Sequence, residues 1–286
     1  MIVITGATGQ LGRLVIAALL KKVPAASLVA AVRNVEKARD IAALGVQIRQ
    51  ADYDQPASWD AALQGADKVL LISSSEIGQR AQQHRAVIDA AKRAGVKLLA
   101  YTSVLHADTS VLGLAGEHRE TEAAIRASGL PFVLLRNGWY TENYAMGVPT
   151  ALSLGAVYGC AGDGRISSAA RADYAEAAAV VLTSADQAGK VYELAGDSSY
   201  TLSEFAAEIS RQSGKAINYV NLPEAEYKKA LLGAGLPEFL AELLANSDSG
   251  VSKGALFDEG KQLSQLIGRP TSALETQVRA AVRAAL

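Results

Sequence analysis

Eight consecutive residues, Thr5-Gly6-Ala7-Thr8-Gly9-Gln10-Leu11-Gly12, carry the spacing Gly-x-x-Gly-x-x-Gly. They follow a short apolar run at 2–5 and open a stretch at 12–22 with helical spacing in Leu14, Val15, Ala18 and Leu19. That context gives the pattern its meaning. A glycine lets the chain turn tightly, a bare backbone lets a pyrophosphate approach, and a third glycine lets the helix sit close to the strand. The helix N-terminus then offers free N–H groups and the positive end of its dipole to phosphates. The chemistry is that of dinucleotide binding.

Which dinucleotide is decided further on. A site for the 2′-hydroxyl form usually places Asp or Glu about 20 residues after the glycines. Here that position falls in Ala31-Val32-Arg33-Asn34, which holds no acid but does hold Arg33. A guanidinium matches a 2′-phosphate in charge and in fork geometry, so the residues favour NADPH over NADH. The other reading of Arg33 is a solvated surface arginine indifferent to the 2′ group. Asp52 follows the third apolar run, where an adenine edge would lie. It could accept from the exocyclic amine or cap the next turn, and the residues alone leave both open.

A second set of polar residues could serve a substrate. Asn137, Tyr140 and Asn143 follow a strand-like run at 132–135, and ligands of open α/β sheets bind beyond the carboxyl ends of strands. Asn137 could donate to a nicotinamide amide or a substrate oxygen. Tyr140 could stack on a flat ring and supply a proton, or Trp139 and Tyr140 could simply fill an interface. Ser103 ends another strand-like run, where a hydroxyl could polarise a carbonyl, and His106 follows it; a strand-ending Ser is also a common turn former. His118 and Glu122 stand one helical turn apart, either as a polar pair beneath a cofactor or as a structural pair. Arg171 and Asp173 open an Ala-rich helix, with Asp173 most simply a dipole partner and Arg171 a reach toward the cofactor.

These residues need a scaffold that presents strand ends on one edge. Apolar runs at 2–5, 28–32, 46–49, 69–72, 98–102 and 132–135 alternate with helical stretches at 12–22, 36–44, 79–93 and 117–128. Alternation of this kind implies parallel pairing, and uniformly apolar strands imply a sheet covered on both faces. The expected fold class is α/β, a doubly wound parallel (Rossmann) sheet. Residues 1–136 would form the NADPH-binding domain, with a helix and strand at about 170–196 returning to it. Residues 137–169 and 197–286 would form a smaller C-terminal substrate lobe, with helices at 202–213, 224–232 and 238–246. The stretch 137–171, rich in Gly, Ser and Asn, reads as irregular.

Composition excludes several classes. The 286 residues are 50% hydrophobic and 20% charged, and 28 Lys and Arg nearly balance 29 Asp and Glu, so no basic face for nucleic acid is expected. The single cysteine, Cys160, forbids an intrachain disulfide and fits a reducing compartment. No run approaches the roughly 18 apolar residues of a membrane span. The expectation is a cytoplasmic protein, a monomer or small homo-oligomer. Three histidines (His84, His106, His118) and Cys160 give no compact metal-ligand spacing, and no Gly-x-Ser-x-Gly elbow occurs.

The glycine turn together with Ser73-Ser74-Ser75, Tyr101-Thr102-Ser103 and Leu135-Arg136-Asn137-Gly138-Trp139-Tyr140 resembles the NmrA-like group of atypical short-chain dehydrogenases/reductases. The likeness runs over essentially the whole chain and includes the late Ser252-Lys253-Gly254. The glycine turn is common to the superfamily; the serine run and the Asn-Gly-Trp-Tyr segment are more specific. The resemblance implies an NADPH-dependent reductase of quinones that works without flavin. It implies that Gly6, Thr8, Gly9, Gln10 and Leu11 hold the pyrophosphate and Arg33 the 2′-phosphate. Ser73, Ser74 and Ser75 would lie along the ribose, and Asn137, Gly138, Trp139, Tyr140, Thr141 and Glu142 would line the nicotinamide side.

One departure matters. Most carbonyl reductases of the superfamily use a Tyr-x-x-x-Lys pair, in which Lys lowers the phenol pKa for proton exchange. The corresponding helix here reads His118-Arg119-Glu120-Thr121-Glu122. A quinone tolerates that loss, because it is already electrophilic and its ring stabilises the anion left by hydride delivery. Two other functions stay open: a regulator that senses the NADPH/NADP ratio with little turnover, and a reductase of triarylmethane-type dyes.

Overall fold

β-branched and leucine-rich runs that cannot remain in water set the sheet. The structure, a computed structural model, describes residues 1–286. Its strands are β1 (Ile2–Ile4), β2 (Leu28–Val32), β3 (Gln47–Gln50), β4 (Lys68–Leu71), β5 (Leu98–Val104), β6 (Phe132–Asn137), β7 (Ala156–Gly159), β8 (Val191–Leu194) and β9 (Asn218–Asn221). Seven of them form one sheet in the order β3-β2-β1-β4-β5-β6-β8. The pairs β1–β2, β1–β4, β2–β3, β4–β5 and β5–β6 are all parallel. The order reverses direction between β1 and β4, the switch point at which such sheets bind ligands.

The helices between these strands are α1 (Gln10–Leu19), α2 (Arg39–Ala43), α3 (Ser58–Ala62), α4 (Arg80–Arg93) and α5 (Ala115–Ser128). β1, β2, β4, β5 and β6 are buried almost throughout, as strands covered on both faces must be. Trp59, Leu63, Leu71, Val87, Ile88, Tyr101, Ile125 and Leu134 share one core cluster. Burying each large side chain there stabilises the fold by about 1.5–3 kcal/mol.

Two local expectations need correction. β3 is not an apolar strand: Gln47 and Gln50 are exposed and Ile48 and Arg49 only half-buried, because it is the sheet edge. The helix expected at 36–44 is broken. Asn34 Oδ1 accepts from the N–H groups of Glu36 and Lys37, which starts a tight 3-10 turn at Val35–Ala38 and leaves only α2 as α-helix.

The chain divides into two compact units. The first holds residues 1–107, 116–137 and 171–193; the second holds 108–115, 138–170 and 194–286. The second contains α6 (Thr141–Ala145), α7 (Val148–Leu154), α9 (Leu202–Ser213), α10 (Glu224–Gly233), α11 (Glu238–Val251), α12 (Gln262–Ile267) and α13 (Leu274–Ala285), while α8 (Arg171–Thr183) belongs to the first and packs on α1. β7 and β9 make a separate parallel pair. The 137–171 stretch therefore carries two helices and a strand rather than irregular chain. No helix is long and apolar enough to cross a membrane.

Candidate active site

Because β1 to β6 run parallel, their carboxyl ends share one edge, and the residues just after them converge there. The turn after β1 is a cradle that needs glycine at three positions. Gly6 has φ of +56°, a left-handed value that strains any other residue. A Cβ on Gly12 would lie 2.4 Å from Gly6 O and 2.7 Å from Ala7 Cα, and one on Gly9 would lie 3.1 Å from Gly6 O. Gly9 N–H donates to Gly6 O at 2.9 Å, closing the turn. Gly9 N-caps α1 without a side-chain cap, and no acid lies in the first turn, so the N–H groups of that turn stand open to an anion. Arg13 buttresses the turn from inside α1: its Nε donates to Thr8 O at 3.1 Å, and its guanidinium pairs with Asp40. Leu11 and Gly12 are buried, whereas Gly6, Gly9 and Gln10 face solvent.

Arg33 follows β2 and is exposed; its guanidinium stands 3.5 Å from Glu76 Oε1. Asp52 follows β3. Its Oδ1 accepts from Asp54 N–H at 3.1 Å and its own N–H donates to Ser58 Oγ at 2.9 Å. The carboxylate is thus engaged in a local turn, the structural alternative raised for it.

Residues 72–76 after β4 are fastened from three sides. Ile72 N–H donates to Thr5 Oγ1 at 3.0 Å, and Ser73 N–H to Thr102 Oγ1 at 2.9 Å. Ser74 N–H donates to His84 Nε2 at 2.9 Å, Ser74 O accepts from Arg80 Nε at 2.6 Å, and the Ser74 hydroxyl donates to Gln83 Oε1. Ser75 is exposed. Thr5 and Tyr53, joined by a hydrogen bond of 3.2 Å, belong to this edge as well and were not among the expected residues. Burial, more than the Thr5 bond opposes it, raises the Tyr53 phenol to about 12.

Beneath the loop lies a buried network with a fixed proton arrangement. His84 Nε2 accepts from Ser74 N–H, so Nδ1 carries the proton and donates to Thr121 Oγ1 at 2.9 Å. Arg80 can only donate, so its 3.4 Å contact makes His118 Nε2 an acceptor and leaves Nδ1–H for Tyr101 Oη at 2.7 Å. Burial first, then the Arg80 charge, lowers both imidazoles, His84 to about 3 and His118 well below its usual value. Both stay neutral.

His118 and Glu122 share a face of α5 but not a partner. Glu122 grips Arg136 through two bonds, Nε to Oε1 at 3.0 Å and Nη2 to Oε2 at 2.8 Å, and Arg136 Nη1 reaches Glu193 Oε1 at 2.8 Å. The Glu122 bonds hold the guanidinium above its usual range. Ser103 Oγ donates to Glu122 Oε1 at 2.6 Å and is buried. That bond engages its one proton with Glu122. His106, with φ of +52°, donates its backbone N–H to Glu193 Oε2 at 2.8 Å and is half-buried.

Asn137 closes β6. It is buried, and its Oδ1 has no hydrogen-bond partner. An unpaired buried acceptor costs about 1–3 kcal/mol, so this atom is waiting for a donor. Arg171 and Asp173 open α8, with Asp173 fully buried.

In the second unit Gly138 N–H donates to Leu194 O at 2.7 Å. Trp139 and Tyr140 are half-buried, and Tyr140 bridges to Ala169 in parallel before N-capping α6. Thr141 Oγ1 meets Ser168 Oγ at 2.8 Å, and Ser168 meets Tyr200 Oη at 2.8 Å. Glu142 and Asn143 are half-buried on α6. Tyr144 Oη donates to Asp248 Oδ1 at 2.9 Å, while Cys160 N–H donates to Asp248 Oδ2 at 3.2 Å. Burial outweighs these two bonds and lifts the Asp248 carboxyl to about 6.

The sheet order and the turn define a dinucleotide-binding α/β protein. Residues 1–279 match the NmrA-like family, and the chain belongs to that family. It is 60% identical over 278 residues to quinone oxidoreductase 2 of Escherichia coli, covering 97% of each chain. Among solved structures it matches an NADPH-dependent quinone oxidoreductase of Escherichia coli complexed with NADPH, at 60% identity and a TM-score of 0.97 over 98% of this chain and 99% of that one. It also matches the Citrobacter sp. triphenylmethane reductase complexed with NADP(H), at 40% identity and a TM-score of 0.95 over 98% and 100%.

Proposed function

We propose that this chain is an NADPH-dependent quinone reductase. The observation that carries the reading is that a dinucleotide-shaped sheet edge lies within a chain 60% identical, almost end to end, to a quinone oxidoreductase. The residues fit the cofactor on their own terms: the turn at 6–12 has no room for a Cβ at Gly12 and little at Gly9 but leaves N–H groups open, and Asn137 Oδ1 lacks a donor. Gly6, Thr8, Gly9, Gln10 and Leu11 would hold the pyrophosphate, with Gly12 allowing the close helix. Arg33 would take the 2′-phosphate and residues 73–75 the ribose.

When bound, the reduced nicotinamide supplies a hydride, and the quinone takes up a proton as well to leave as hydroquinone. Asn137 Oδ1 would accept from a carboxamide N–H and so fix one ring orientation. Tyr140, Asn143 and His106 are assigned to the quinone, with Gly138, Trp139, Thr141, Glu142 and Arg171 at the cofactor. Tyr140 offers a ring face and a hydroxyl. The protein's part is to orient two flat molecules, which converts an encounter into a positioned reaction. The likeness to a triphenylmethane reductase makes other flat electrophiles the second substrate class to assay. We place the protein in the cytoplasm, as a monomer or small homo-oligomer.

The test is steady-state turnover with a benzoquinone alongside direct NADPH binding. Asn137→Ala and Tyr140→Phe should each lower kcat by about 10-fold or more, the loss of one buried hydrogen bond, while NADPH still binds. NADPH binding with no quinone-dependent oxidation would refute the enzyme and favour a redox-sensing regulator.

A further inference from the structure

Arg33 is not alone at the end of β2. Glu76, arriving from the loop after β4, presents Oε1 at 3.5 Å from its guanidinium. Glu76 is itself aimed. Its Oε2 accepts from Gln83 Nε2 at 2.7 Å, and Gln83 is a buried residue of α4, 3% exposed. The other end of the Gln83 amide accepts the Ser74 hydroxyl, and Ser74 Oγ in turn accepts Glu76 N–H at 3.2 Å. A closed ring of Ser74, Gln83 and Glu76 thus holds a carboxylate against the one basic side chain that would read the 2′ group.

We propose that Glu76 is a specificity-determining residue that narrows the preference for NADPH over NADH; this rests on the reading that Arg33 takes the 2′-phosphate. A 2′-phosphate carries up to two negative charges and must draw Arg33 away from Glu76 while facing that carboxylate. A 2′-hydroxyl brings no charge, leaves the Arg33–Glu76 pair intact and can donate to a carboxylate, the partner such ribose hydroxyls commonly have. Glu76 therefore weakens the phosphorylated cofactor and leaves the other unharmed or helped. An exposed ion pair contributes up to about 1 kcal/mol, so the discrimination at stake is about three- to fivefold.

Glu76→Gln keeps an acceptor for Gln83 and removes only the charge. Dissociation constants for NADPH and NADH are measured by nicotinamide fluorescence on wild type, Glu76→Gln, Arg33→Ala and the double variant, at low and high salt. The ratio of the NADH to the NADPH constant should rise about three- to fivefold in Glu76→Gln. The rise should shrink in high salt and be smaller in the Arg33→Ala background, where only the direct repulsion between Glu76 and the phosphate is left to relieve. A ratio unchanged in Glu76→Gln, while Arg33→Ala lowers it, overturns the proposal and leaves the cofactor reading standing. A ratio unchanged by Arg33→Ala overturns the cofactor reading, and the proposal with it.

Discussion

At the scale of single residues, Gly12 is the most constrained position in the turn. A methyl group there would press on Gly6 O and Ala7 Cα, both backbone atoms that cannot rotate aside. Alanine ordinarily favours a helix by about 1 kcal/mol; here overpacking costs about 1–3 kcal/mol and reshapes the anion cradle. Gly12→Ala should lower the melting temperature and weaken NADPH binding at least about 10-fold, measured by thermal melting and by cofactor titration. Unchanged binding would show that the cradle does not hold phosphate. This turn was legible in the sequence because its chemistry is local: three glycines between a strand and a helix. Arg33 was legible as a candidate, because it stands where a strand end would meet the 2′ group. Glu76 was not, since the spacing rule points to the end of β2 whereas this carboxylate comes from the end of β4, more than 40 residues onward in the chain. Asn137 was legible as a candidate, but its unpaired oxygen is visible only in three dimensions.

At the scale of elements, α5, β5 and β6 are locked together where many relatives of the superfamily place proton-transfer machinery. The lock is Glu122, held by Arg136 and Ser103. Removing one partner of a buried ion pair leaves an uncompensated charge and costs about 3–5 kcal/mol. Arg136 keeps Glu193, so Glu122→Ala should cost about 3 kcal/mol in a denaturant unfolding curve. Ser103→Ala removes one hydrogen bond and should cost about 1 kcal/mol, with kcat within about twofold of wild type. A large loss of kcat at unchanged stability would return Ser103 to the substrate. The shared face of His118 and Glu122 followed from helical spacing. Their separate partners did not, because His118 meets Arg80 and Tyr101 from other elements. In the same way β3 looked apolar only until its place at the sheet edge was known.

At the scale of the whole molecule, the two units carry buried titratable groups of opposite sign. His84 in the first unit is neutral when folded and titrates near 3, against a usual 6.5. Its contribution is complete above the unfolded value and is lost as pH falls below it, amounting to about 2 kcal/mol of lost stability by pH 5. Asp248 in the second unit titrates near 6 rather than 3.8. Its folded state holds the proton more tightly, so its contribution is complete below the unfolded value and is lost as pH rises through about 6. Asp248→Asn should therefore gain stability relative to wild type by about 2 kcal/mol on going from pH 4.5 to 7.5, read from paired unfolding curves. A pH-independent difference would remove Asp248 from this account. The first unit was readable as a doubly wound sheet because its strands and helices alternate with clear periods. Less of the second was. β7 and β9 are only four residues each, and α13, with Val278 and Val282 turned inward, went unread among polar neighbours. The measurement that tests the central claim most directly is kcat/KM for NADPH and for NADH with one fixed quinone, in wild type and Arg33→Ala. The account predicts quinone-dependent oxidation that prefers NADPH, and a fall of about 10- to 100-fold for NADPH alone in the variant, the loss of charge-assisted bonds to one phosphate. No quinone-dependent oxidation, or equal effects on both cofactors, would contradict it.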